Sequence, residues 1–125
     1  MGSLKTLLVL LVLSPSASFA ANGSLTSTFA SCAGRYSAEV EHSWLTSDGQ
    51  SEFHESRKQQ FLDLIEALAP QDSDATFLNL RLVAKVAHAD LLSTAAFSVD
   101  EERSEWALMR ASSEIQFCSG FLLES

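Results

Sequence analysis

Glu39-Val40-Glu41-His42 holds the chain's only Glu-x-x-His spacing. On a helix, residues three apart share a face, so this carboxylate and imidazole could bind one metal ion together. Ferritin-like di-iron sites use the motif twice and add a Glu from each of two more helices. Here it occurs once: Ser51 precedes His54 at that spacing, and Lys85 precedes His88. A solvated helix face is the better reading. A metal protein or enzyme built on Glu39 and His42, with His88 as a third candidate, is the weaker alternative. Glu52-Phe53-His54-Glu55 sets acids beside a histidine, but neighbouring helical positions do not face each other.

Nucleophilic catalysis needs a Ser or Cys with His and an acid. No serine sits in Gly-x-Ser-x-Gly, and there is no Gly-rich phosphate loop, Cys-x-x-Cys or zinc spacing. The sequence therefore predicts no catalytic residue, no metal ligand set and no cofactor.

Three basic groups form the remaining charged pattern. Arg81, Lys85 and His88 follow each other by four and three residues, which puts them on one helix face. They read as a narrow basic stripe on an acidic surface. It is the candidate interaction site for an acidic partner, but pairing with Glu residues on neighbouring helices is the favoured reading.

The cysteines are Cys32 and Cys118. In an oxidising compartment such a pair reads as one structural disulfide. The compartment follows from the N-terminus. Lys5 is the only charge in residues 1–20, Leu7–Leu13 is an unbroken apolar run, and Ser18-Phe19-Ala20 suits a signal peptidase. Residues 1–20 are thus expected to be a signal peptide, with cleavage near Ala20 and a secreted or periplasmic product. The apolar run is too short to span a bilayer, and no stop-transfer stretch follows, so no membrane span is expected in the mature chain. Asn22-Gly23-Ser24 is a formal glycosylation sequon.

Residues 21–125 are the size of one small domain. The whole chain carries a net charge of −8, and loss of Lys5 makes the mature part more acidic still. That balance argues against nucleic acid and anionic membrane surfaces, both of which reward clustered Lys and Arg. It suits solubility, or a basic protein partner drawn in by the field.

Four helices must position these residues. The first is expected over about 25–45, with Ser24 as N-cap and Leu25, Phe29, Cys32, Tyr36, Val40 and Trp44 on its apolar stripe. Gly34 and Arg35 interrupt that stripe, and Gly34 suits close helix packing. The second is expected over about 51–69, with Phe53, Phe61, Leu64, Ile65 and Leu68 inward and Pro70 as its stop. The third, about 75–97, is apolar nearly all round and so is expected at the centre of the core. The fourth runs to about 123, opened by Asp100 and seamed by Leu108, Ala111, Ile115, Cys118 and Leu122.

Short loops between amphipathic helices predict an all-α, up-down-up-down four-helix bundle. In that topology Cys32 and Cys118 lie near the same end of the bundle, so the disulfide joins helices 1 and 4. The general form, small, all-helical, exported and with one disulfide, resembles that of periplasmic acid-stress chaperones. The expected function is non-catalytic binding of another protein, as accessory subunit, inhibitor or chaperone-like factor. The first alternative is a carrier with an apolar ligand in the bundle core.

Overall fold

The computed structural model describes Gly2, residues 17–68 and residues 74–123, with side chains from Leu25 onward. The apolar run Leu7–Leu13, Pro70 and the α3 N-cap lie outside these residues. Four helices fill the rest: α1 Ala17–Thr46, α2 Ser51–Leu68, α3 Asp74–Phe97 and α4 Glu101–Ser119. Among the described residues there is no strand, and no helix is long and apolar enough to cross a membrane.

α1 begins earlier than its apolar stripe suggests. Ser24 is not its cap, because helix already runs through Ala17, Ala20 and Ala21, strong helix formers. The expected cleavage point after Ala20 therefore falls inside the first turns of α1.

Both turns among the described residues have a chemical stop. After α1, Ser47 (φ 54°) and Gly49 (φ 78°) take left-handed backbone. Ser43 Oγ donates to Asp48 Oδ1, and the Gln50 amide donates to the same carboxylate at 2.9 Å. At the other hairpin, Asp100 caps α4 by accepting from the amides of Glu102 and Arg103 at 3.1 and 3.3 Å. Glu101 and Glu102 sit in the first turn, where the helix dipole favours them.

The chain folds as an up-down-up-down bundle. Phe29 stacks near Phe61 while Ser43 meets Gln50, so α1 and α2 are antiparallel. His88 meets Glu114 while the Ala95 carbonyl accepts from Ser104, so α3 and α4 are antiparallel too. α1 packs broadly on α2 and α3, and touches α4 near the disulfide. Cys32 and Cys118 are bonded with their Cα atoms 5.6 Å apart, joining α1 to α4.

The centre of the core is α1, not α3. Phe29, Cys32, Ala33 and Tyr36 are buried with Phe61 and Cys118, and Leu25, Ile65, Ile115 and Leu122 pack around them. A second cluster joins Ala38, Leu92 and Ala111. α1 takes the central place because its small residues admit two backbones. A Cβ on Gly34 would stand 2.1 Å from the Arg81 carbonyl oxygen. Gly34 thus sets the approach of α1 to α3.

Several expected core positions face outward. Trp44 is 66% exposed because the turn folds back over Ser43 instead. Phe53 and Leu68 are also exposed. On α4 the buried positions are Ala107, Ala111 and Cys118, with Glu114 completing the seam by contact with α3; Leu108, one position round, is exposed.

Candidate functional site

α3 is turned opposite to expectation. Its residues 75–87 carry two charges, Arg81 and Lys85, and both lie on the side that meets α1. His88 on the same stripe is fully buried. Lys85 pairs with Glu41. The Arg81 side chain is partly covered, and its Nε is buried with no hydrogen-bond partner. The opposite face leaves Leu78, Leu82, Val83 and Val86 half or more exposed, with Phe97 beyond them. The predicted stripe is thus mostly a set of contacts inside the bundle.

The physical reason is a polar network that spans three helices. His88 Nε2 lies 2.9 Å from Glu39 Oε1 on α1, and His88 Nδ1 lies 3.1 Å from Glu114 Oε2 on α4. Ionised carboxylates only accept, so a ring nitrogen that carries a proton donates to the carboxylate it faces. Glu114 also receives Arg110 Nε at 3.2 Å and stands 3.6 Å from Arg35 Nε. Arg35 Nη1 reaches 3.5 Å from Cys118 Sγ, which ties the network to the disulfide. On the other side, His54 Nε2 of α2 lies 3.9 Å from Glu39 Oε2. The His54 Nδ1 is buried and has no hydrogen-bond partner.

Two groups here titrate away from their ordinary values. Burial acts to raise Glu114, but the hydrogen bond from His88, the Arg35 charge and the Arg110 hydrogen bond outweigh it and hold the carboxyl low. Burial pushes the Tyr36 hydroxyl up, opposed by Arg57 and assisted by Glu39.

This arrangement can hold helices together. Both His88 ring nitrogens already face carboxylates at hydrogen-bond distance. Glu39 turns to His54 and His88, whereas His42 lies toward the turn, where its charge acts on Asp48. So the Glu-x-x-His pair is not brought to one point. Among the described residues, no group of three or more His, Cys, Asp or Glu is placed to hold a metal ion.

Beside the network lies an open groove of about 800 Å³. Glu39 forms its floor, His54 of α2 one wall, and Leu108, Met109, Ile115 and Gln116 of α4 the other. Among the described residues, α2 and α4 make no helix-to-helix contact.

Sequence reasoning missed Glu114 and the inward turn of His88. The available signal was the basic stripe Arg81, Lys85 and His88 in a chain whose other helices carry Glu residues able to pair with it. No family model matches this chain, and neither a curated protein nor a solved structure is similar to it.

Proposed function

We propose that this chain is a small, exported, non-catalytic protein that works by binding another protein. One observation carries the reading. α3 turns its basic stripe inward and leaves Leu78, Leu82, Val83 and Val86 outward, with no charged side chain on that face between 75 and 87. A contiguous exposed apolar face on a small bundle marks an interaction surface. The alternative arrangement, with those side chains inside, would have buried more apolar area, about 25 cal/mol per Å².

Export is supported by the N-terminal composition and by the disulfide, which persists in oxidising compartments. Cleavage near Ala20 would shorten α1 by its first turn and leave the core from Leu25 onward intact.

The test is native mass spectrometry of the chain recovered from the compartment it occupies. The expected result is a complex with a second protein that Leu82→Glu abolishes. A chain that flies alone in both forms, after gentle cross-linking, ends this reading.

A further inference from the structure

The α2–α4 groove is lined by His54 of α2 and by a stripe of helical spacing on α4, and a second such stripe on α2 runs beside His54. On α2, Phe53, Arg57, Gln60 and Leu64 follow at steps of four, three and four. On α4, Leu108, Ser112, Ile115 and Ser119 do the same. The stripes close at the disulfide end, where Gln60 and Leu64 share a hollow with Phe121 and Leu122, and Leu122 packs on the core beside Leu64.

Toward the turns the stripes separate, for a physical reason. α2 is held to α1 by Tyr36 on Phe61 and by Ser43 at Gln50. α4 is held to α3 by His88 at Glu114 and by Ser104, which donates to the Ala95 carbonyl at 2.6 Å. Nothing draws α2 and α4 together there. Leu108 and Met109 are left exposed on the α4 wall, Met109 by 73%, and Phe53, next to His54 in sequence, is exposed on α2. From Leu108 to Ser119 the wall is about 16 Å long, or three helical turns.

The charge around this opening is mainly acidic. Glu39 lies in the floor. Glu52 stands next to Phe53, and Glu101 and Glu105 precede Leu108 by about two turns and one turn; none of these three has an ion-pair partner among the described residues. The one base on the rim, Arg57, lies over the Phe53 ring at 5.1 Å.

We infer that this groove receives one amphipathic helix of another protein, apolar on the entering face and basic along its flanks. Two heptad-spaced walls accept side chains at i, i+3 or i+4, and i+7 of such a helix. Flanking Lys or Arg meets the unpaired carboxylates, and the net charge of −8 speeds the encounter. This inference stands apart from the α3 surface that carries the binding reading, so each can fail alone.

The experiment titrates the full chain with a fluorescent three-turn peptide. The peptide has Leu at i, i+4 and i+7 and Lys on both flanks; a control carries Glu in place of each Lys. The Lys peptide should bind, and the Glu peptide should bind at least about ten-fold more weakly. Leu108→Glu and Met109→Glu, both at exposed positions, should weaken the Lys peptide about ten-fold or more with unchanged helix content. Trp106→Glu adds the same charge on the opposite flank of α4 and should leave binding as it was. The inference is overturned by no binding to the wild-type chain, by equal binding of the two peptides, or by an unaffected Leu108→Glu. A loss confined to Leu82→Glu overturns it as well, while supporting the α3 surface.

Discussion

Glu39 on α1 and His88 on α3 meet at 2.9 Å, Oε1 to Nε2, where the ring has no contact with solvent. With Glu114 on the far side of the same ring, this contact decides which way α3 faces. A helix with so many apolar residues would bury them if its polar stripe were free to stay in water. Here that stripe has carboxylate partners on α1 and α4, and the apolar face is displaced outward.

The first prediction concerns that ring. His88→Gln keeps one donor and presents an oxygen to the second carboxylate. Breaking a buried charged contact from one side costs about 3–5 kcal/mol. Urea unfolding of the variant should show a loss of that order. A change below about 1 kcal/mol would mean the carboxylates find water or arginine instead.

The second concerns acid. Glu114 is held below the usual carboxylate range, with burial outweighed by His88, Arg35 and Arg110. Asp48 is lowered by the Ser43 hydrogen bond and the Gln50 amide. A carboxyl whose folded pKa is depressed stabilises the fold above its unfolded value, about 4.3 for Glu and 3.9 for Asp, and that stability is lost as pH falls through the folded value. The urea midpoint should therefore hold steady near neutrality and drop below about pH 4. Glu114→Gln should flatten part of that drop. An equal drop in the variant would place the acid sensitivity elsewhere.

How far the chain could be read shows in particular residues. Cys32 and Cys118 were legible as a pair because both lie on apolar stripes near one end of antiparallel helices, and the structure joins them. Asp100 was legible as a helix start, since a cap depends on the next three residues alone. Gly34 was legible as a close-packing position, but its partner was not. Contact with the Arg81 carbonyl depends on which helix crosses there. The facing of α3 was illegible for the same reason. Hydrophobic content argues for burial residue by residue, whereas Glu39, Glu41 and Glu114 reach the stripe from other helices.

The third prediction follows from Gly34. In an exposed helix, Gly→Ala gains about 1 kcal/mol. At position 34 the added carbon would lie 2.1 Å from a backbone oxygen that cannot rotate away. The sign should reverse, with a loss of about 1–3 kcal/mol or more as α1 and α3 are pushed apart. A melting temperature that rises in Gly34→Ala would contradict this packing.

The fourth concerns the disulfide. It closes a loop with a sequence separation of 86, for which the chain-entropy estimate is about 4–5 kcal/mol and measured losses are typically about 2–5. Cys32→Ala with Cys118→Ala should fall in the measured range. Arg35 and Leu122 should loosen first, being the neighbours that reach the bond or pack on its cluster. Hydrogen exchange would locate this: protection should fall at the C-terminal end of α4 before it falls at the α3–α4 turn.

The last prediction separates fold from surface on α3. Leu82 and Val86 face water, so Leu82→Glu and Val86→Glu remove no core contact and should change stability by no more than about 0.5 kcal/mol. Phe61, fully buried against Phe29 and Tyr36, is the contrast, and Phe61→Ala should cost about 3–5 kcal/mol. If α3 were instead turned with its apolar face inward, the ordering would invert: a glutamate at 82 would meet the core and cost as much as the loss of Phe61. Chemical unfolding of these three variants tests the facing of α3 with no partner in hand. Equal, large losses at 82 and 61 would remove both the inverted helix and the binding surface built on it.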